Sequence, residues 1–259
     1  MIGLFVGAQS RVGVAYYDIG ALYDTIPSLF YRDDYTPQGP MKWDTKRYRE
    51  SVERYAALLD TMAMNIVGLY GVENEQVALD VVAASRGDYA LIHRTSNRLD
   101  GLDFALLYHA DKLFPRRVRD GAGWFAVEGE LDGVNVAILL MRRCRFADDL
   151  IEEYLFKDSL LIVLGDVAPL EGFGLVYAHL RAEGQGRANR FSKGYWRRGD
   201  GAWLDKRIDF TGADIFIARE LLDEVTFRPK PLYYREQYLG GYSWRLPIYF
   251  YLMVPNLEN

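Results

Sequence analysis

Short apolar runs set between polar turns recur along almost the whole chain, and only three segments break that pattern with a helical period. Strands interleaved with helices can bury their apolar faces only as sheets covered by helices, and this narrows the fold more than any other feature. Alternating or fully apolar runs predict strands over residues 11–19, 65–70, 88–93, 102–109, 123–130, 134–140, 159–164, 203–210, 214–218, 225–228 and 245–254. Tyr48, Val52, Tyr55, Ala56, Leu59 and Met62 recur at helical spacing behind a cap at Asp44 or Thr45. Asn74 opens a second helix carrying Val77, Ala78, Val81 and Val82, and a third is predicted near 148–156. Leu131-Asp132-Gly133 reads as the tight turn of a hairpin. The stretches 23–43 and 184–201, rich in turn and polar residues, read as long loops.

Half of the 259 residues are hydrophobic, which supplies a sizeable core and argues against global disorder. No repeat, low-complexity block or linker divides the chain, so one α/β domain over 1–259, with strands enough for two sheets, is expected. The formal charge of −5 gives no general pull towards nucleic acid or an anionic membrane. The single cysteine, Cys144, excludes a disulfide framework, and three histidines (His93, His109, His179) argue against a multi-histidine metal site. No apolar run has the length of a membrane span, and no basic residue precedes the short apolar stretch at the start. A soluble, cytoplasmic protein is the expectation.

Six blocks, in order, resemble the endonuclease/exonuclease/phosphatase superfamily of DNase I-like phosphodiesterases. They are Tyr16–Asp24 (YYDIGALYD), Tyr35–Tyr48 (YTPQGPMKWDTKRY), Ile66–Leu79 (IVGLYGVENEQVAL), Gly101–Tyr108 (GLDFALLY), Leu161–Val167 (LIVLGDV) and Gly240–Pro247 (GGYSWRLP). The resemblance implies a four-layer α/β sandwich, two packed mixed β-sheets flanked by helices. It also implies phosphoester hydrolysis with one or two Mg²⁺ ions and a histidine–aspartate pair that activates water.

The positions that carry this chemistry are substituted. The asparagine of the family's first strand is Asp18, and the metal-binding glutamate is Gly71, although Val72, Glu73 and Asn74 follow as in the family. The asparagine–histidine pair after the hairpin falls at Leu140-Met141, followed by Arg142-Arg143-Cys144-Arg145. The G-D-x-N motif keeps Gly165 and Asp166 but ends in Ala168, and the closing S-D-H reads Ser243-Trp244-Arg245. Arginine cannot take a proton from water near neutral pH, and glycine holds no metal through a side chain. A catalytically degenerate binding or scaffolding module is therefore expected, with no cofactor.

Its candidate ligand-binding residues are Arg142, Arg143, Arg145, Arg197 and Arg245, and its partner an unidentified protein or a phosphorylated ligand in the inherited cleft. Arg245 is expected to replace the cation, pairing with Asp18, Asp166 or both. Trp244 either plugs the cleft or offers a stacking surface, and Met141 reads as core. His93, Asp103 and Asp205 read as structural. The alternative is an atypical Mg²⁺- or Mn²⁺-dependent phosphodiesterase or nuclease using Asp18, Asp166, Glu73 and Asp205. The block Arg187, Arg190, Lys193, Arg197 and Arg198, with Phe191, Tyr195 and Trp196, has the composition of a nucleic-acid contact, a reading set below that of a charged surface loop.

Overall fold

Two parallel strand pairs, each joined by a helical crossover, organise the molecule. The computed structural model describes residues 9–28, 34–96, 100–144, 147–155, 159–167, 170, 172–179, 189–192, 195–197, 199–216, 233–234, 237–238, 243 and 245–255. Strand β1 (Gln9–Leu22) leads through α1 (Thr45–Met62) to β2 (Ile66–Val72), its parallel neighbour. Next come α2 (Glu75–Ala84), β3 (Ala90–Arg94), β4 (Asp103–Tyr108), β5 (Leu113–Gly121) and β6 (Trp124–Leu131). Then β7 (Val134–Arg142) leads through α3 (Ala147–Leu155) to a second parallel partner, β8 (Leu160–Asp166). The remaining strands are β9 (Leu175–Tyr177), β10 (Arg190–Ser192), β11 (Tyr195–Arg197), β12 (Gly201–Asp205), β13 (Asp209–Phe210), β14 (Asp214–Ile215), β15 (Tyr233–Tyr234), β16 (Gln237–Tyr238) and β17 (Ile248–Pro255).

One mixed sheet runs β13-β17-β1-β2-β4-β3, with β14 also on β17, and the other runs β5-β6-β7-β8-β12-β9. Hairpins β10–β11 and β15–β16 stand apart from both. Alternation along β7 and β8 shows how the layers form. Ile138, Leu140, Ile162 and Leu164 join Tyr16, Tyr70, Phe104 and Phe125 in the core between the sheets. Their neighbours Leu139, Met141, Leu161 and Val163 face the other way, into a cluster with Ile151 and Tyr154 of α3 and with Trp203. On the first sheet, Tyr17 packs edge-on against Tyr55 of α1, whose hydroxyl donates to the Ile19 carbonyl at 3.0 Å. Helices thus cover both sheets, giving the expected four-layer α/β sandwich. No helix among the described residues is long and apolar enough to cross a membrane.

The predicted helix starts are present: Asp44 caps α1 through the Arg47 N–H (2.9 Å), and Asn74 caps α2 through the Val77 N–H (2.9 Å). Two readings need correction, and one strand has no counterpart among the expected elements. The stretch 203–210 is broken by a turn at 206–208, which separates β12 from β13. Part of the expected loop 184–201 forms the β10–β11 hairpin. Strand β5, with Pro115 and three arginines, shows no clean alternation because it is a sheet edge with a register shift between Pro115 and Arg117. The strand expected at 225–228 lies outside the described residues.

Candidate functional site: an arginine among three carboxylates

The parallel pairing fixes one end of the sandwich as the site. Asp18 lies opposite Tyr70 across β1–β2, and Arg142 lies opposite Asp166 at the matching end of β7–β8. Antiparallel pairing of Gly201 with Gly165 brings the residue before β12, Asp200, to the same end. Arg245 enters just before β17 and is 3% exposed.

Each nitrogen of the Arg245 guanidinium meets a different carboxylate. Nε lies 3.3 Å from Asp18 Oδ2, Nη2 donates to Asp166 Oδ2 at 2.9 Å, and Nη1 donates to Asp200 Oδ1. The expected pairing with Asp18 and Asp166 is present, and Asp200 completes a set that sequence reasoning did not find. Asp200 is itself held by Asn189: Nδ2 donates to Asp200 Oδ2 at 2.7 Å, and the Asp200 N–H donates to Asn189 Oδ1 at 3.0 Å. Asn189 in turn bonds the Leu246 backbone through both its side chain and its main chain, fixing the residue beside Arg245. Ser243 donates its hydroxyl to the Asp18 carbonyl and accepts the Arg245 N–H at 3.0 Å.

A second guanidinium flanks the first. Arg142 donates through Nη1 to Asp18 Oδ2, and its Cζ lies 4.3 Å from the centre of the Tyr70 ring. Asp18 Oδ1 accepts the Gly20 N–H at 2.9 Å. Arg143 stands further out, with Nε 3.9 Å from Asp166 Oδ2 and its side chain 64% exposed. Beneath the cluster Tyr16 is fully buried, and its hydroxyl has no hydrogen-bond partner among the described residues.

Burial opposes charge on Arg245, Asp200 and Tyr16, and the balance against their neighbours differs from one to the next. Burial alone lowers the Arg245 pKa, but Asp200, Asp18 and Asp166 outweigh it and hold the guanidinium charged beyond its ordinary range. For Asp200 burial wins: its carboxyl is pushed up to about 7, against the pull of Arg245 and the Asn189 hydrogen bond. Burial also drives the Tyr16 hydroxyl well above its usual value.

The other candidates fall elsewhere. Gly71 has φ +106°, and a Cβ there would lie 3.1 Å from the Gly20 carbonyl oxygen, so a ligating side chain at this position would be strained and would press on the Gly20 backbone. Glu73 accepts the Asp24 N–H at 2.6 Å and so organises the start of the 23–43 loop. Asp205 lies at the far end of β12, where it holds Arg207 at 2.8 Å beside Ser159 at the entry to β8. The alternative set Asp18, Asp166, Glu73 and Asp205 is therefore not brought together. Met141 is buried under α3, as expected of a core residue. His93 pairs with Asp103 at 3.0 Å, and Asp103 also accepts the Ser96 N–H at 2.7 Å, so both hold the end of β3 to β4. Arg145, Ala168, Arg187, Lys193, Arg198 and Trp244 lie outside the described residues, as do the side chains of Arg190, Phe191, Tyr195, Trp196 and Arg197.

Two packed mixed sheets flanked by helices, with a polar cluster where the parallel strands end, define a DNase I-like α/β sandwich. Residues 13–121 match the model of the Endonuclease/Exonuclease/phosphatase family, and the fold of that family extends over nearly the whole chain. Similar solved structures include an endonuclease/exonuclease/phosphatase family protein from Bacteroides thetaiotaomicron (TM-score 0.58, 11% identity, 96% of each chain covered). A mannosyl-6-phosphatase from the same organism gives a TM-score of 0.57 at 13% identity, covering 93% of this chain and 99% of that one. TDP2 from Caenorhabditis elegans gives 0.58 at 14% identity, covering 95% and 75%. Identities this low establish a shared fold and nothing finer. None of the curated proteins matches the chain in sequence.

Proposed function

We propose that this chain is a catalytically degenerate protein of the endonuclease/exonuclease/phosphatase type, which binds an anionic group of a protein or phosphorylated ligand in its cleft. The observation that carries this reading is the Arg245 guanidinium seated among Asp18, Asp166 and Asp200. A hydrolase of this class needs hard oxygen ligands with free lone pairs for Mg²⁺, and a base that titrates near neutrality. Here the carboxylates converge on a fixed organic cation, so the residues present do not fit a divalent metal. Among the described residues no group of three or more His, Cys, Asp or Glu side chains is arranged to hold a metal ion. Arg245 cannot serve as a general base. The histidines sit apart: His93 against Asp103, His109 against Asn65, and His179 against Tyr177.

The test is an assay on a generic phosphodiester and on plasmid DNA, with Mg²⁺ and with Mn²⁺, beside an Asp166→Ala control. No metal-dependent turnover and no rise in Tm at saturating metal are expected. Metal-dependent turnover that vanishes in Asp166→Ala would establish a rebuilt hydrolase and overturn the proposal.

A further inference from the structure

Among the described residues four other than glycine have a left-handed backbone, and three of them follow from local structure. Ala63 ends α1 with its N–H on the Leu59 carbonyl, Asp132 precedes Gly133 in the β6–β7 turn, and Lys42 closes a turn onto the Gly39 carbonyl. The fourth is Arg143, at φ +49°. Its N–H donates to the Asp166 carbonyl at 3.1 Å, a bond that glycine would make equally well without strain. What glycine lacks is the side chain, and that guanidinium is 64% exposed at the end of the sandwich where β7 and β8 finish. Its nearest carboxylate, Asp166 at 3.9 Å, is beyond hydrogen-bond reach and already accepts from Arg245. Strain held at a position with an open charged group points to use rather than to packing.

We propose that Arg143 reads an oxyanion, a carboxylate or a phosphate, at the mouth of the cleft, with Arg142 supplying a second, fixed positive charge. This deepens the binding reading above and rests on it. The planar guanidinium fork matches two oxygens of either group. Arg142 is pinned by Asp18 and Tyr70, 19% exposed, and its buried Nε has no partner. Three guanidiniums, of Arg142, Arg143 and Arg245, stand against the three carboxylates, so an incoming anion meets the two outer arginines rather than bare negative charge.

Inorganic phosphate and acetate are titrated at low salt against the full chain, Arg143→Gln and Arg143→Gly, with Tm measured for each. At least one probe should bind the native chain in a salt-sensitive way, and both variants should bind it about tenfold or more weakly. Arg143→Gly should keep a Tm no lower than native, which separates lost recognition from lost folding. The tighter probe names the source of the oxyanion. Undiminished binding in Arg143→Gly, or no binding of either probe to the native chain, would refute the proposal. The binding reading fails separately, on metal-dependent turnover.

Discussion

Replacing Arg245 by methionine tests the cluster most directly. The substitution removes one charge and leaves Asp18 (3% exposed) and Asp200 (1% exposed) in place, with Asp166 beside them. Arg142 still holds Asp18, so the uncompensated charge falls on Asp200 and Asp166. Breaking a buried ion pair from one side costs about 3–5 kcal/mol. In a chain of this length each kcal/mol moves Tm by about 2–4 °C, so Arg245→Met should melt roughly 10 °C lower at pH 8. The deficit has a chemical signature, because protons or a new cation can relieve it. It should shrink at pH 5, where the stranded carboxyls take up protons, and millimolar Mn²⁺ should raise the Tm of the variant but not of the native chain. Removing the stranded charges as well, in Arg245→Met/Asp166→Asn/Asp200→Asn, should recover most of the loss. The assay is urea unfolding and thermal melting at both pH values. A loss below about 1 kcal/mol at pH 8, the scale of an exposed ion pair, would refute the reasoning, as would equal deficits at pH 5 and pH 8.

Asp200 also gives the native chain a pH dependence. Its folded pKa of about 7 lies above the ordinary 3.8, so the folded state keeps a proton that the unfolded chain gives up; its contribution is complete below about pH 4 and is lost as pH rises through 7. Asp60 and Asp205 are shifted downwards and act only below that window. Stability should therefore fall between pH 5 and pH 8, by at most about 1.4 kcal/mol per pH unit, and Asp200→Asn should flatten the slope; an unchanged slope in the variant would exclude Asp200 as its source. Gly71→Glu, which restores the family's residue type, should destabilise by about 1–3 kcal/mol, because φ +106° and the Gly20 backbone oppose any side chain. Calorimetric titration with Mn²⁺ should show no binding, and a stable variant that binds the ion would contradict this account.

The layered fold was legible because its strands obey simple period-two rules on two faces. Leu139 and Met141 turn to α3 while Ile138 and Leu140 turn to the sheet interface, so β7 reads as an almost continuous apolar run. Strand β5 escaped because an edge needs no apolar face, and its arginines answer to Glu130 and Glu153 instead. Of the site, Arg245, Asp18 and Asp166 could be placed because the family blocks fix their strands. Asp200 and Asn189 could not. Their role depends on β12 running antiparallel to β8 in one register, which puts Gly201 opposite Gly165, and no local pattern encodes that register. Asp200, just before a strand that opens on the apolar run Gly201–Leu204, was the available signal, hidden at the end of a polar stretch.

A buried arginine among three carboxylates is poor evidence for stabilisation in itself, since desolvating four charges costs about as much as their attraction returns. A well-packed apolar plug can occupy the same volume with no such cost. What the ionic arrangement supplies, and an apolar plug does not, is a defined charge at the cleft floor. The carboxylates come from β1, from β8 and from the residue ahead of β12, so both sheets contribute negative charge to one point. Without a cation there, that point repels any anion approaching Arg142 and Arg143. Arg245 offsets one of those charges, and Arg142 beside Asp18 and Arg143 beside Asp166 offset the rest, so the outer face of the cluster is lined by guanidiniums. The guanidinium is held by covalent attachment rather than by equilibrium with solvent, so this charge pattern persists whatever the metal concentration. Arg245, just ahead of β17, is thus the residue on which both proposals turn, the degenerate site and the bound oxyanion.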